Sequence, residues 1–277
     1  MTQTSAPRSD SQSAEVPDAD TGVPVHWDAA AEALAVELLR REGCIVVSPT
    51  KVGYIILTSD RIGLERKFTV KNRARNKPGV VLCSSMDQLR ELAQLTGEAE
   101  AFYRTHWDQD VLMGCILPWR PEAAERHLGR VGEFVTDERA TSCFVVRFGR
   151  PAENIVRTLW EKDGRLVFAS SANPSGKGNR GRIEGIGPAI AEKADLVIEA
   201  DDYVRSIQPN ETADTRYEQG VMVSFVDEAG QLVPEQHGQR GVEPVPTLIR
   251  KGLDLGSIMA NLAAAFPSWD YRQGQYY

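Results

Sequence analysis

The sequence predicts an α/β fold built on a largely covered sheet. Short apolar runs rich in β-branched residues alternate with helix-period segments, the connections are short, and Pro, Gly and Ser punctuate the strand ends. With 277 residues, 42% of them hydrophobic, the chain has core enough for one large domain or two small ones.

Met1 to Val23 reads as a flexible tail, rich in Ser, Thr and Asp, without an apolar period or the apolar middle of a signal peptide. Order is expected from about Trp27. Asp28 is placed to cap a helix running to Arg41, with Ala31, Leu34 and Leu38 on one face and Gly43 as the stop. Cys44–Val47 follows as a buried strand that Pro49 should end. Further strands are expected at Gly79–Cys83, Val111–Leu117, Ser142–Phe148, Leu166–Ala169, Asp195–Glu199, Val221–Val226 and Leu248–Arg250. Helices are expected at Met86–Leu95, Glu98–Trp107, Ile155–Lys162 and Asp254–Phe266, with a loop over Glu235–Pro246.

Composition narrows the function. A net charge of -7 argues against a protein that coats nucleic acid, though it leaves room for a local basic cleft. No apolar run approaches the ~20 residues that span a bilayer, which points to a cytoplasmic protein without a membrane anchor. The four cysteines, Cys44, Cys83, Cys115 and Cys143, are widely spaced inside apolar stretches and form no Cys-x-x-Cys pair. They read as buried free thiols rather than as metal ligands or disulfides.

Three segments carry polar residues where chemistry is expected. Ser48-Pro49-Thr50-Lys51-Val52-Gly53-Tyr54 stands at a strand end, where open α/β sheets place ligands; taken alone it reads first as a simple strand-to-helix turn. Arg61 to Lys77 holds Arg61, Arg66, Lys67, Lys71, Arg73, Arg75 and Lys77 against the single acid Glu65. Such a stretch suits a phosphate-bearing ligand or, alternatively, a solvated helix face. Ser170-Ser171-Ala172-Asn173-Pro174-Ser175-Gly176 follows a buried strand, and its hydroxyls, amide and loop N–H groups are suited to an anion; a generic polar loop is the other reading.

Ser171-Ala172-Asn173-Pro174-Ser175-Gly176 after a strand resembles the signature of the YrdC-like family, best known for threonylcarbamoyl-AMP synthases. Other segments resemble family elements in the same order: Pro49-Thr50 with Tyr54, Lys71-Asn72-Arg73 with Lys77-Pro78, Trp107 ahead of a strand, Val145-Val146-Arg147, and Leu248-Ile249-Arg250-Lys251-Gly252. The likeness runs from about Asp28 to Gly252 and divides the chain into a tail (1–23), a YrdC-like domain (24–253) and a C-terminal helix and tail (254–277).

The resemblance implies a twisted sheet curled around a basic cavity. It implies an enzyme that joins L-threonine, bicarbonate or CO2, and ATP with Mg2+, releasing pyrophosphate and a carbamoyl adenylate destined for transfer-RNA modification by a separate transferase. On this likeness Lys71 and Arg73 are the catalytic candidates, Ser171, Asn173, Ser175 and Arg147 the nucleotide-binding ones, and Thr50 and Tyr54 line the amino-acid end. Protein ligands for Mg2+ are not assigned by the sequence. The chain departs from the family pattern at Lys51-Val52, Ile55-Ile56, Val80-Val81-Leu82, Gly149 and Val221–Asp227. These departures keep two alternatives in view: a synthase for another amino acid or amine in specialised metabolism, and a non-catalytic, RNA-binding member.

Overall fold

The computed structural model describes residues 23–72, 77–174, 176–212 and 214–270. Asp28 caps the first helix as its sequence position predicts, accepting a hydrogen bond from Ala31 N at 2.8 Å. In chain order the elements begin β1 (Val25–His26), α1 (Ala29–Arg40), β2 (Val46–Thr50), β3 (Gly53–Thr58), α2 (Arg61–Val70) and β4 (Val80–Leu82). They continue α3 (Met86–Leu92), α4 (Gly97–Asp108), β5 (Met113–Pro118), α5 (Pro121–His127), α6 (Gly132–Val135), β6 (Thr141–Val146) and α7 (Ala152–Asp163). The remainder are β7 (Phe168–Ser171), α8 (Pro188–Ala191), β8 (Leu196–Glu199), α9 (Asp201–Ile207), β9 (Val221–Ser224), β10 (Thr247–Arg250) and α10 (Leu255–Ala265).

The ten strands form one mixed sheet in the order β1-β8-β2-β3-β7-β4-β6-β5-β9-β10. Two expectations need correction here. Strand β2 does not end before Pro49; it continues to Thr50 and turns directly into β3, pairing Pro49 with Tyr54. Within β2 only Val46 and Val47 pair with β8, so Pro49 lies on an open stretch of edge where a missing N–H removes no ladder bond. The segment 48–54 is therefore a tight hairpin, not a strand-to-helix turn.

Alternation along β3 sends Ile55 and Leu57 to one face and Tyr54 and Ile56 to the other. The first face packs with α1 and α7 around Ala35, Leu39, Ile155 and Leu159. The opposite face packs around Tyr54 and Ile56 against Ile186, Ile190 and Val204, and farther along the sheet against α3, α4 and α10 through residues such as Leu89, Phe102 and Leu262. Of the cysteines, Cys83 and Cys115 are buried but Cys44 and Cys143 are only half-buried; all four are free thiols. No helix among the described residues is long and apolar enough to cross a membrane.

The C-terminal helix is held partly by a buried histidine. His106 on α4 contacts Phe102 O through Nδ1 at 2.7 Å and faces the Asn261 amide of α10 through Nε2 at 3.1 Å. Burial lowers the His106 pKa from its ordinary 6.5. Below pH 6.5 the unfolded chain binds a proton that the folded imidazole refuses, so this residue's contribution to stability falls as the pH drops through that value. Thermal unfolding compared at pH 7.5 and pH 5.5 is expected to show a smaller loss for His106→Gln than for the wild-type chain.

Candidate functional site

Strand register builds the floor of a cavity of about 400 Å³. Residues opposite one another on adjacent strands share a face. Leu82 of β4 is opposite Val145 of β6, Val145 opposite Gly114 of β5, Gly114 opposite Met222 of β9, and Met222 opposite Arg250 of β10. In parallel with that row, Ile55 is opposite Ser171, and Ala169 opposite Val80. Leu82, Val145, Met222, Ile55 and Ala169 all line the cavity, and Arg250 closes one end of the row.

A bulge aims that arginine. The β9–β10 register slips between Leu248 and Arg250, leaving Ile249 as the extra residue, 53% exposed. A regular ladder would set Ile249 beside Met222; the bulge sets Arg250 there instead.

Above this apolar floor sits a cationic rim. Lys71 and Lys77 follow α2, and Arg216 lies on the segment leading into β9; with Arg250 they make four cations lining the cavity, and no Asp or Glu among the described residues joins them. Lys71 is buried and its ammonium donates to Ser171 O and, at 3.2 Å, to Ser171 Oγ. Arg250 Nε donates to Gly220 O at 2.9 Å. Arg250 is itself exposed; partial loss of hydration around its guanidinium, with like charge from Arg216 adding to it, lowers its pKa against the opposing influence of Cys143.

Asn173 Oδ1, in the lining, has no hydrogen-bond partner among the described residues. Ser170 Oγ also lacks one, but Ser170 pairs with Ile56 and turns to the far face with Tyr54. Asn173 is only 5% exposed, and its Nδ2 already donates to Pro174 O at 2.9 Å. A buried acceptor of this kind is expensive to leave unpaired unless a ligand supplies the donor.

The loop after Asn173 is shaped by close approach. Asn179 Nδ2 donates to Tyr54 O at 2.9 Å and Asn179 Oδ1 accepts from Gly181 N at 2.9 Å. Gly53 lies beneath this amide with φ +92°, and a Cβ there would meet Asn179 Oδ1 at 2.1 Å. Hairpin and loop are thus locked together by a contact only glycine permits.

The sequence-predicted residues divide clearly. Lys71, Ser171, Asn173 and Thr50 are brought together around the one cavity. Arg73 and Ser175 lie outside the described residues. Tyr54 does not reach the cavity: alternation turns it to the far face, where it is fully buried with its hydroxyl donating to Asp201 Oδ1 at 2.5 Å. Burial foremost, with that carboxylate second, pushes its phenol pKa far up, and Tyr54 is a core anchor. Arg147 also stands apart. Its guanidinium lies 4.1 Å from the centre of the Trp107 ring, Nε donates to Trp107 O at 2.8 Å, and Asp110 is 3.6 Å away.

The cationic stretch is not uniform either. Arg61 is paired with Glu65 and Glu133, and Arg66 with Asp195 at 2.8 Å, so these two point away from the cavity into ion pairs. Arg66 lines a separate depression of about 440 Å³ that also contains Glu65, Glu192 and Asp195, a mixed-charge surface unsuited to an anion. Sequence reasoning did not choose Lys77, Arg216 or Arg250 as site residues. Lys77 and Arg250 stand within the quoted family-like segments; Arg216 has no local signal at all.

No group of three or more His, Cys, Asp and Glu able to hold a metal ion occurs among the described residues.

Residues 38–215 match the Sua5/YciO/YrdC family, described as telomere recombination. A hypothetical protein of Streptococcus mutans UA159 is similar at 58% identity, over 91% of this chain and 98% of that one, with a TM-score of 0.84. P. abyssi Sua5 complexed with L-threonine is similar at 20% identity over 86% of this chain and 59% of its own, with a TM-score of 0.58. E. coli YciO is similar at 17% identity over 83% of this chain and 93% of its own, with a TM-score of 0.57. The last two likenesses concern the fold. No curated protein matches the chain. With the family match covering most of the domain, and the twisted mixed sheet agreeing with it, the chain belongs to the Sua5/YciO/YrdC family.

Proposed function

We propose that the chain is an ATP-dependent synthase of an N-carbamoyl-amino-acid adenylate. The observation that carries this reading is the cavity with no acid among its described lining residues: four cations on its rim, a hydrocarbon floor, and a buried acceptor, Asn173 Oδ1, without a partner. A triphosphate needs several positive groups held in water-poor surroundings, where each charge acts more strongly than in bulk water.

The proposed reaction proceeds without a protein nucleophile. The amino acid's amine attacks the carbon of CO2, forming an N–C bond and releasing a proton to solvent. A carbamate oxygen then attacks the α-phosphorus of ATP. The new O–P bond forms as the bond from the α-phosphorus to the bridging oxygen breaks, and pyrophosphate leaves with that electron pair. The protein's task is positioning and charge neutralisation. Lys71 and Arg250 take the phosphates or the carbamate, and Ser171 offers its hydroxyl. Asn173 Oδ1 accepts from a ribose hydroxyl, an amine or a water on Mg2+. With no carboxylate in the lining, Mg2+ enters on the phosphates and its own waters.

P. abyssi Sua5 has been captured with L-threonine, which supports an amino acid as one reactant within this fold. An RNA clamp is the poorer reading, because the cations enclose a hollow of about 400 Å³ rather than track a groove. The product adenylate would need a separate transferase to carry the carbamoyl group onward.

Pyrophosphate release from ATP and bicarbonate, dependent on an added amino acid, is the direct test. Arg250→Ala is expected to lower it about tenfold or more with an unchanged melting temperature, from the ~1.5–3 kcal/mol of one charged hydrogen bond. A rate equal to that of the wild type would remove Arg250 from the site.

A further inference from the structure

Resting on the nucleotide site of the synthase reading above, we propose that Gln208 is a positioning residue: it holds the strap of chain that brings Arg216 to the phosphates. Among the described residues between α9 and β9 there is no helix or strand. Residues 216–220 of that stretch pass along the cavity, and Arg216, Tyr217, Gln219 and Gly220 line it. An irregular segment loses conformational freedom when it is fixed, so a cation carried on one binds well only where the fold has fixed it beforehand.

Gln208 supplies that fixing. Its side chain is 5% exposed and does not line the cavity. Oε1 accepts from Glu218 N at 2.9 Å, while Nε2 donates to Lys51 O at 2.9 Å and to Glu218 O at 3.4 Å. One buried amide thus takes both backbone polar groups of Glu218 and ties them to the hairpin tip. The hairpin is the fixed end of this tie. Lys51 N donates to Phe148 O at 2.9 Å, and the Lys51 ammonium reaches Asp110 O at 2.5 Å and Asp110 Oδ1 at 2.8 Å. Losing Gln208 therefore frees the strap before it frees the hairpin.

The strap is seated on either side of Glu218. Upstream, Tyr217 N donates to Asn179 O at 2.9 Å, and the Arg216 stem crosses Gly178 so closely that a Cβ there would lie 2.6 Å from Arg216 Cδ. Downstream, Leu253 N, just beyond β10, donates to Gln219 O at 2.8 Å. The strap thus runs from the loop that follows Asn173 to the strand that carries Arg250. Like charge from Arg216 acts on the Arg250 guanidinium, so these contacts hold two cations together against repulsion. No acid among the described lining residues relieves it, whereas a phosphate shared by the two would.

The experiment titrates the full chain with ATP and Mg2+ by calorimetry and records the thermal unfolding of each variant. Gln208→Leu, close in volume but unable to hydrogen-bond, is expected to raise the Kd for ATP about fivefold, the size of one neutral hydrogen bond. In an Arg216→Ala background the same substitution is expected to raise it less than about twofold, because residues that act through one group are not additive. Equal effects in both backgrounds, as a general loss of packing would give, or no effect in either, overturn the positioning role. Gln208→Glu keeps the acceptor for Glu218 N and loses the donor to Lys51 O, and it carries the same comparison if Gln208→Leu fails to fold. Coupling between the two sites in a chain that binds ATP without amino-acid-dependent pyrophosphate release would support this inference and end the synthase reading. Failure of the wild-type chain to bind ATP would overturn both.

Discussion

Lys71→Ala is expected to depress amino-acid-dependent pyrophosphate release by well over tenfold while the chain stays folded. The ammonium is held against Ser171, at the junction of the basic rim with the turn that carries Asn173. On the proposed reading, the same group exchanges neutral carbonyl and hydroxyl acceptors for phosphate oxygens when a triphosphate arrives. A charge-assisted hydrogen bond of this kind contributes ~1.5–3 kcal/mol, or about ten- to a hundredfold in rate where it strengthens at the transition state. Lys71→Arg retains the charge but not the compact, rotatable ammonium, and is expected to recover only part of the rate. Rates and thermal unfolding measured together decide the matter. Full activity in Lys71→Ala would make the lysine a packing residue, and a collapsed melting temperature shared by Lys71→Arg would make it a folding one.

Gly53→Ala is expected to produce a large loss of stability beside the cavity. Its positive φ disfavours any L side chain, and the new carbon would overlap the Asn179 amide that bridges hairpin to loop. Backbone strain of ~1–3 kcal/mol and a comparable overpacking penalty give a total of about 3 kcal/mol. Relief is available only by moving Asn179 away from Tyr54 O and Gly181 N, which loosens the loop lining the cavity. Chemical denaturation should therefore show a lower midpoint, and ATP binding by titration should weaken in the same variant. Unchanged values in both measurements would mean that the loop adjusts freely.

What the sequence disclosed, and what it concealed, follows from how local each signal is. Helix α1 was legible because Asp28 and the Ala31–Leu38 spacing announce a cap and a buried stripe within one short window. Strand β3 escaped because its six residues are all buried, and its two-residue hairpin loop, Lys51-Val52, carries none of the usual turn residues. Tyr54 was misassigned for the same reason: without the strand, its facing relative to Ile55 has no meaning. Lys71, Ser171 and Asn173 were readable because each sits in a compact polar run. The cations from the end of the chain are a different case. Arg250 reaches the cavity through cross-strand register and a bulge, and Arg216 through a loop, neither of which leaves a mark in neighbouring residues.

Strand β10, at the rim of the sheet, has a neighbour on one side only. A nucleotide that grips Arg250 ties this outermost ribbon to Lys71 and Ser171 near the middle of the molecule. On the proposed reading occupancy is thereby coupled to fraying: substrate arrival should slow amide exchange in Thr247–Arg250 more than in the interior strands, and a chain whose last ribbon has peeled away loses one of the four cations described at the cavity.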